Sequence, residues 1–421
     1  MGYLMRVWRT PEVRNSILYV LCMLVVFRIA AHIPIPGVNA DALSQFFQSN
    51  QFFGLLNIFS GGTLENFSIV ALGVAPYITA SIIFQLLAMI HPKLEEMQKE
   101  EQGRQKINQW TRLLTVPLSA VQAYGLLLLL RQQASAVFVN FDLFQVILTM
   151  VSMTAGTVFV MWLGELISEK HVGNGISIMI FAGIIAGLPS FFQRTLAVYD
   201  RSQLVTLIIF LVAMVATIVG IVIMHEAQRN IPVQYARQIR GSRLAGGVST
   251  HLPLRVNMAG VIPIIFAISI ILFPSVFAQF FTSAKSEWLR NAAAFTLELF
   301  ANQLFYGVLY FVLVFAFTYF YTSVIFHPDR VAENLQLQGG FVPGIRPGKS
   351  TAEYLAYVTN RILLIGAVFL SAIAILPLVA QQLTGNASLV IGGTSILIVV
   401  NVVIESVKQI EAQLTMRQYE L

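Results

Sequence analysis

Charged side chains are scarce in this 421-residue chain: Asp, Glu, Lys and Arg together make up 11% of it, against 57% hydrophobic residues. Soluble proteins contain about 25% charged residues, which they need to cover a water-facing surface. The mean hydropathy of +0.74 is also far above that of a soluble chain. The composition therefore excludes a soluble multidomain enzyme and indicates a polytopic membrane protein.

Cysteine is almost absent, because Cys22 is the only one in the sequence. One cysteine excludes an internal disulfide framework and a cysteine-based metal site. The six histidines are scattered without the HxxH or HExxH spacing of metal sites. A phosphate-binding loop, a nucleophile elbow and a carboxylate pair are missing as well. We therefore expect no cofactor, no metal and no enzymatic activity.

Long apolar runs dominate the sequence instead, and a helix needs about twenty such residues to cross a bilayer. The first run follows Arg6, Arg9 and Arg14 without a small-residue cleavage site, which favours a retained helix over a removed signal peptide. The runs lie at 17–35, 68–90, 113–130, 143–167, 172–192, 204–224, 256–281, 304–326, 362–380 and 388–404. They predict an all-α protein with ten transmembrane helices.

Positive charges predict the orientation of these helices. If the amino terminus is cytoplasmic, twenty of the 26 Lys and Arg residues fall on the cytoplasmic side. Cytoplasmic loops of membrane proteins carry an excess of Lys and Arg. Because ten is an even number, both termini are predicted to be cytoplasmic.

A short internal repeat connects the two halves of the chain. The sequence LGVAP at 72–76, in the second run, is echoed by AGVIP at 259–263, in the seventh. Because five spans is an odd number, a second five-span unit enters the membrane with inverted topology. We therefore predict two inverted halves, 1–202 and 203–421, facing each other across a central cavity.

Ionisable residues are nearly missing from the middles of the runs. Glu165, Glu405 and Arg28 lie toward predicted span ends, where long side chains reach the interface. Charges at the bilayer centre are costly and usually serve proton or ion coupling. Their scarcity argues against an ion-coupled transporter. A facilitator, a lipid flippase and a structural scaffold remain open alternatives.

Three segments outside the runs are candidates for function. FSGGTLENF at 59–67 is either a re-entrant piece that lines a cavity or an ordinary amphipathic outer loop. The loop at 225–255 holds five Arg against one Glu, and the loop at 327–361 has Gly and Pro turns that present Arg346 and Lys349 at a tip. These loops either dock an RNA or protein partner or only enforce topology and contact anionic lipid headgroups.

Several motifs, in order along nearly the whole chain, together resemble the SecY family of protein-conducting channel subunits. They are PYITASII at 76–83, GNGIS at 173–177, EAQR at 226–229, IPVQYA at 231–236, STHLPL at 249–254, NMAGVIP at 257–263, VAENL at 331–335, GFVPGIRPG at 340–348, GGTS at 392–395 and IEAQL at 410–414. The resemblance implies a plasma-membrane channel for secretory polypeptides, with an hourglass pore that opens sideways between spans 2/3 and 7/8.

The resemblance also implies roles for individual residues. The pore ring would be Val74, Ile78, Ile176, Ile180, Ile265 and Ile398. The plug, at about 58–69, would include Ser60, Gly61, Gly62, Thr63, Leu64, Glu65, Asn66 and Phe67. Thr79 and Gln122 match polar positions of the lateral gate, and Phe273 stands where some relatives have a polar residue. An aliphatic ring suits this role, because an ion in a dewetted collar loses its hydration without gaining a ligand.

Partners follow from the same resemblance. Arg237, Arg240, Arg243, Arg346 and Lys349 would lie on the two protrusions that engage the ribosome or the motor ATPase SecA. Companion subunits SecE and SecG, signal sequences and unfolded polypeptides are the other expected partners. The energy for transport would come from the docked partner, since this sequence carries no nucleotide site.

Overall fold

The computed structural model describes residues 7–38, 63–64, 66–133, 142–197, 204–235, 238–240, 243–245, 249–281, 286–384 and 392–420. Within these ranges the chain is mainly helical. The helices are α1 Pro11–Ala30, α2 Ala75–Ile90, α3 Pro92–Lys99, α4 Glu101–Gln133, α5 Leu143–Ser168, α6 Gly175–Ala197, α7 Leu204–Glu226, α8 Ile262–Phe281, α9 Glu287–Ala301, α10 Gln303–Ile325, α11 Pro328–Leu337, α12 Lys349–Thr384 and α13 Gly392–Glu420.

Each of the ten apolar runs overlaps a helix, and several of these helices are longer than their run. Helix α4 begins at Glu101 and not at 113, α12 begins at Lys349 and not at 362, and α13 continues to Glu420 and not to 404. Hydropathy marks the part of a helix that lipid requires to be apolar, whereas the backbone hydrogen bonds continue into polar sequence. The apolar run therefore underestimates the length of any helix that continues beyond the hydrocarbon.

Membrane-spanning capacity differs among these helices. Within the described ranges, four helices are long and apolar enough to cross a bilayer: α1, α5, and the helices that begin at Gln303 and Lys349. Shorter apolar segments lie at Gly175–Pro189, Leu211–Glu226 and Ile262–Ile271, and α2 is followed by α3 at a bend of 114°. The chain thus has several spanning helices, and the number ten stays a prediction.

The two long loops contain β-strands, which the prediction of an all-α protein missed. The strands are β1 Gln228–Tyr235, β2 Gln238–Arg240, β3 Arg243–Ala245, β4 Ser249–Arg255 and β5 Gly340–Phe341. Strand β1 pairs antiparallel with β4 and, near its end, with β5, while β2 pairs with β3. The alternation of exposed residues with buried Ile231 and Val233 is the period-two signal of a strand, which the Arg content of this loop obscured.

The sheet joins the loops 225–255 and 327–361 into one unit. Its small core contains Ile231 from β1, Leu254 from β4, Val342 next to β5, and Leu355 from α12. Because neither loop could bury these side chains alone, each stabilises the fold of the other.

Helices α1–α6 and α7–α13 correspond to the predicted halves. Among the described residues, α8 contacts α2 and α4, and α13 contacts α1 and α6. The division into inverted halves stays a prediction. A large apolar cluster contains buried side chains from both halves. They come from α1, α2, α5, α6, α7, α8, α10, α12 and α13.

Candidate functional site

Five of the six residues of the proposed pore ring belong to this apolar cluster, and the sixth, Ile176, packs against it. They come from four different helices or their first turns: Val74 and Ile78 from the start of α2, Ile176 and Ile180 from α6, Ile265 from α8 and Ile398 from α13. Five of the six are buried, with exposed fractions between 1% and 8%, and Ile176 is half-buried. The structure thus brings aliphatic side chains of both halves together, away from the lipid-facing surface.

The two copies of the internal repeat have the same local backbone. Gly73 and Gly260 each lie two residues before a helix, with φ of +54° and +64°. This left-handed conformation favours glycine, and a proline follows at the second position of each helix. The side-chain oxygen of Asn257 accepts a hydrogen bond from the Gly260 amide at 3.0 Å. Matched turns therefore start α2 and α8 and place Val74, Ile78 and Ile265 near helix beginnings.

The described part of the proposed plug packs in a second apolar cluster. Ser60, Gly61, Gly62 and Glu65 lie outside the described residues. Leu64 and Phe67 are buried in the second cluster together with Ile35 and with Leu127 of α4, whereas Asn66 is exposed. Leu64 and Phe67 are thus separate from the ring, although Ile69 packs against both clusters.

Hydrogen bonds hold this segment in place. The hydroxyl of Thr63 is fully buried and donates to the carbonyl of Val70 at 2.9 Å. The amide of Ile35 donates to Phe67 and the amide of Ile69 donates to Ile33, both at 3.0 Å, so that this segment pairs with the chain leaving α1. The residues that lead into Val74 are therefore tied to the N-terminal half.

Gly156 of α5 is in close contact with the backbone at Ile69, which the sequence does not predict. A Cβ added at Gly156 would collide with the carbonyl oxygen of Ile69 and lie 2.6 Å from its carbon. Only glycine allows the backbone of 69–70 to approach α5 so closely. The sequence gives no local sign of this role, since the two segments are far apart along the chain.

The proposed lateral gate coincides with the contact of α8 with α2 and α4. The hydroxyl of Thr79 donates to the carbonyl of Ala75 at 3.0 Å within α2, and its side chain is half-buried. Gln122 of α4 is also half-buried. Phe273 belongs to α8, but the structure does not describe its side chain. Helix α8 thus contacts two of the helices that the resemblance assigns to the gate, and the gate itself stays a prediction.

Arg346 and Lys349 are exposed on the loop 327–361. Gly344 and Gly348 turn this loop with φ of +82° and +94°, and the buried hydroxyl of Thr351 donates to the carbonyl of Arg346 at 2.9 Å. The tip is thus a fixed turn. On the other loop, Arg240 of β2 pairs with Arg243 of β3 through the backbone, and Arg237 lies outside the described residues.

Two ion pairs each connect two helices of the described part of the chain. The Lys408 ammonium of α13 lies 2.8 Å from the Glu226 carboxylate at the start of the first loop, and Arg112 of α4 lies 2.6 Å from Glu165 of α5. The hydrogen bond from Lys408 lowers the pKa of the Glu226 carboxyl below its ordinary value. Glu165, which the sequence predicts to anchor the end of a span, is paired with Arg112.

Among the residues that the structure describes, no three His, Cys, Asp or Glu side chains come together in a way that could hold a metal ion.

Comparison with known proteins places these observations in a family. The SecY family model matches residues 68–407. The protein translocase subunit SecY of Halalkalibacterium halodurans is 43% identical over 98% of this chain and 97% of its own length. A solved SecY channel, described for a plug domain that stabilises the closed state and maintains a membrane seal, superposes with a TM-score of 0.64 at 16% identity, covering 94% of this chain and 91% of that one.

A channel from the canine endoplasmic reticulum, solved in a ribosome–channel complex, superposes with a TM-score of 0.60 at 16% identity over 94% of this chain and 91% of that one. At such identities the solved structures show the shared fold. The family match and the close relative carry the assignment, and this chain belongs to the SecY family of protein translocase subunits.

Proposed function

We propose that this chain forms a gated pore through which unfolded secretory polypeptides cross the plasma membrane. The observation that carries the proposal is the convergence of Val74, Ile78, Ile180, Ile265 and Ile398 from both halves in one buried cluster. Aliphatic side chains yield to a bulky chain without binding it, and without a guest they exclude hydrated ions. Ile176, half-buried beside them, completes the proposed ring.

Release into lipid would occur at the seam where α8 meets α2 and α4. Thr79 and Gln122 would line this lateral gate together with Phe273. An apolar signal helix that enters the seam gains about 0.3 to 0.6 kcal/mol for each Leu, Ile, Phe or Val that it transfers to the bilayer centre. The segment at 58–69 would act as the plug that seals the resting pore.

Energy for transport would come from a partner on the cytoplasmic side. The exposed Arg346 and Lys349, together with Arg237, Arg240 and Arg243, would bind SecA or ribosomal RNA, because Arg suits bidentate contacts with carboxylate and phosphate. The canine structural relative was solved with a ribosome, which supports a partner of this class. SecE and SecG would complete the complex, anionic lipid would surround it, and both termini would be cytoplasmic.

Crosslinking of a stalled secretory chain tests the proposal. Ile78→Cys and Ile265→Cys, each in a Cys22→Ser background, should both crosslink to a cysteine in the stalled chain. Val121→Cys and Val308→Cys are the controls, because these residues of α4 and α10 are 59% and 58% exposed on the outer surface. A central pore predicts adducts at 78 and 265 and none at the controls.

The alternatives give other results. Adducts only at the controls would place the substrate at the lipid-facing surface and contradict a central pore. A facilitator for small solutes or a structural scaffold predicts no adduct at any of the four positions.

A further inference from the structure

Helix α9, Glu287–Ala301, lies between α8 and α10 and contacts both. One side of it faces these helices: Ala293 is 4% exposed, and Leu289 and Leu297, one turn to either side, are half-buried. Phe300 packs against the large apolar cluster, and its ring meets that of Phe305 of α10 at 5.7 Å. The helix is therefore a fixed part of the structure.

The outward side of α9 divides into two sectors. At about 100° per residue, Trp288, Phe295 and Leu299 fall within about 40° of one another on the helix circumference. Trp288 is 75% exposed and Phe295 is 66% exposed. A second sector, also about 40° wide, contains the exposed polar residues Glu287, Asn291 and Glu298. Leu299, the third member of the apolar sector, is half-buried. Helix α9 thus has a protein-facing side, an apolar side that is exposed at Trp288 and Phe295, and a polar side.

Three such sides are what a helix needs when it lies at the boundary of a bilayer next to protein. The neighbouring helices also expose apolar side chains, because Phe277 of α8 and Leu304 of α10 are 53% and 71% exposed. In a membrane protein such surfaces face the hydrocarbon. Tryptophan is enriched where hydrocarbon meets the headgroups, and helices with an apolar face of this kind lie in the plane of that boundary.

We propose that the Trp288–Phe295–Leu299 sector of α9 binds the lipid interface and anchors the connection between α8 and α10 in the bilayer. Helix α9 follows α8 at the end away from the sheet of β1, β4 and β5, so the predicted orientation assigns it to the outer leaflet. The anchor holds the outer ends of two helices on one side of the proposed seam. It requires only the membrane location of the family and not the pore.

Fluorescence quenching tests the proposal on the full chain, purified with its copurifying subunits and reconstituted into phosphatidylcholine vesicles. Trp8→Phe, Trp110→Phe and Trp162→Phe leave Trp288 as the single tryptophan. Its emission should be shifted to the blue and strongly quenched by lipids brominated near the headgroup end of the acyl chain. Lipids brominated near the chain terminus should quench less, and aqueous iodide should have little effect.

A matched control moves the tryptophan to the polar side of the same helix. Trp288→Phe with Glu298→Trp, in the same background, should be quenched by iodide and only weakly by brominated lipid. Quenching of Trp288 by iodide without quenching by brominated lipid would overturn the proposal. Protection of Trp288 from both quenchers would assign the sector to a protein partner and would overturn it equally.

Discussion

Gly156 of α5 and Ile69 are in backbone contact, although 87 positions separate them in the sequence. This contact packs the segment between the proposed plug and Val74 of the proposed ring directly against α5. Thr63 and the pairing with 33–35 hold the same segment from other sides. The position of Val74 thus depends on a glycine in another helix.

Gly156→Ala should therefore disturb the seal. The added methyl group forces the backbone at Ile69 away from α5, and such overpacking costs about 1–3 kcal/mol. We expect a lower thermal unfolding midpoint and a higher resting ion conductance in planar bilayers. Gly307→Ala in α10 is the control, since its Cβ would lie 3.7 Å from Leu378, an ordinary contact. Equal behaviour of the two variants would contradict the role of Gly156.

Ile78→Asn should raise resting ion conductance. Aliphatic side chains keep the proposed ring free of water, whereas the polar amide of Asn would let water, and with it hydrated ions, enter. Single-channel recording measures the effect directly. Ile90→Asn is the control on the same helix, since Ile90 is 79% exposed at the far end of α2. If Ile78→Asn conducts no more than Ile90→Asn, the proposed ring does not form the seal.

Arg346→Glu should reduce partner-driven transport while membrane insertion of the chain stays intact. The reversed charge repels the carboxylate or phosphate groups that Arg346 would bind, and the fixed turn prevents another residue from taking its place. Arg330→Glu makes the same charge change at an exposed position of α11 in the same loop. Transport assayed in inverted vesicles should fall for Arg346→Glu and not for Arg330→Glu. Equal loss in both would indicate an effect of net charge only.

Lys408→Ala should lower stability in a pH-dependent way. The hydrogen bond from Lys408 depresses the pKa of Glu226, so the ion pair stabilises the folded state above the ordinary glutamate pKa of about 4.3. This contribution is lost as the pH falls through the depressed value. Because the Glu226 side chain is 54% exposed, we expect a loss of less than about 1 kcal/mol at neutral pH.

Thermal unfolding of wild type and Lys408→Ala from pH 7 to pH 3 would check this, provided that both unfold reversibly in detergent. The difference between them should shrink below about pH 4. Glu226→Gln, which lacks the ionisable group, should show the loss at neutral pH, and adding Lys408→Ala to it should change little. A wild-type advantage that persists at pH 3 would show that Lys408 acts through packing.

The sequence predicted where helices lie, because a bilayer demands apolar runs that are visible without a structure. The resemblance to the SecY family named the ring residues. Five of them are buried in one cluster and Ile176 packs against it, while their role in a pore stays a prediction. The extensions of α4, α12 and α13 escaped prediction, because a helix that leaves lipid keeps its hydrogen bonds while its composition becomes ordinary.

Features that depend on distant partners were beyond sequence reasoning. The contact of Gly156 with Ile69 and the ion pair of Glu226 with Lys408 join residues from remote parts of the chain. The strand β1 carries a partial sequence signal, since the buried Ile231 and Val233 are flanked by Asn230 and Gln234, but Pro232 between them weakens it.

The sheet of β4, β1 and β5 has a mechanical consequence. Because β1 hydrogen-bonds to strands from both long loops, a load on the turn at Arg346 passes through β5 into β1 and on to the ends of α7 and α8. The bases of the two long loops are therefore coupled through the shared strand β1. If a partner docks at the turn of Arg346, as proposed, its pull would reach the ends of α7 and α8 through hydrogen-bonded strands and not through a free loop.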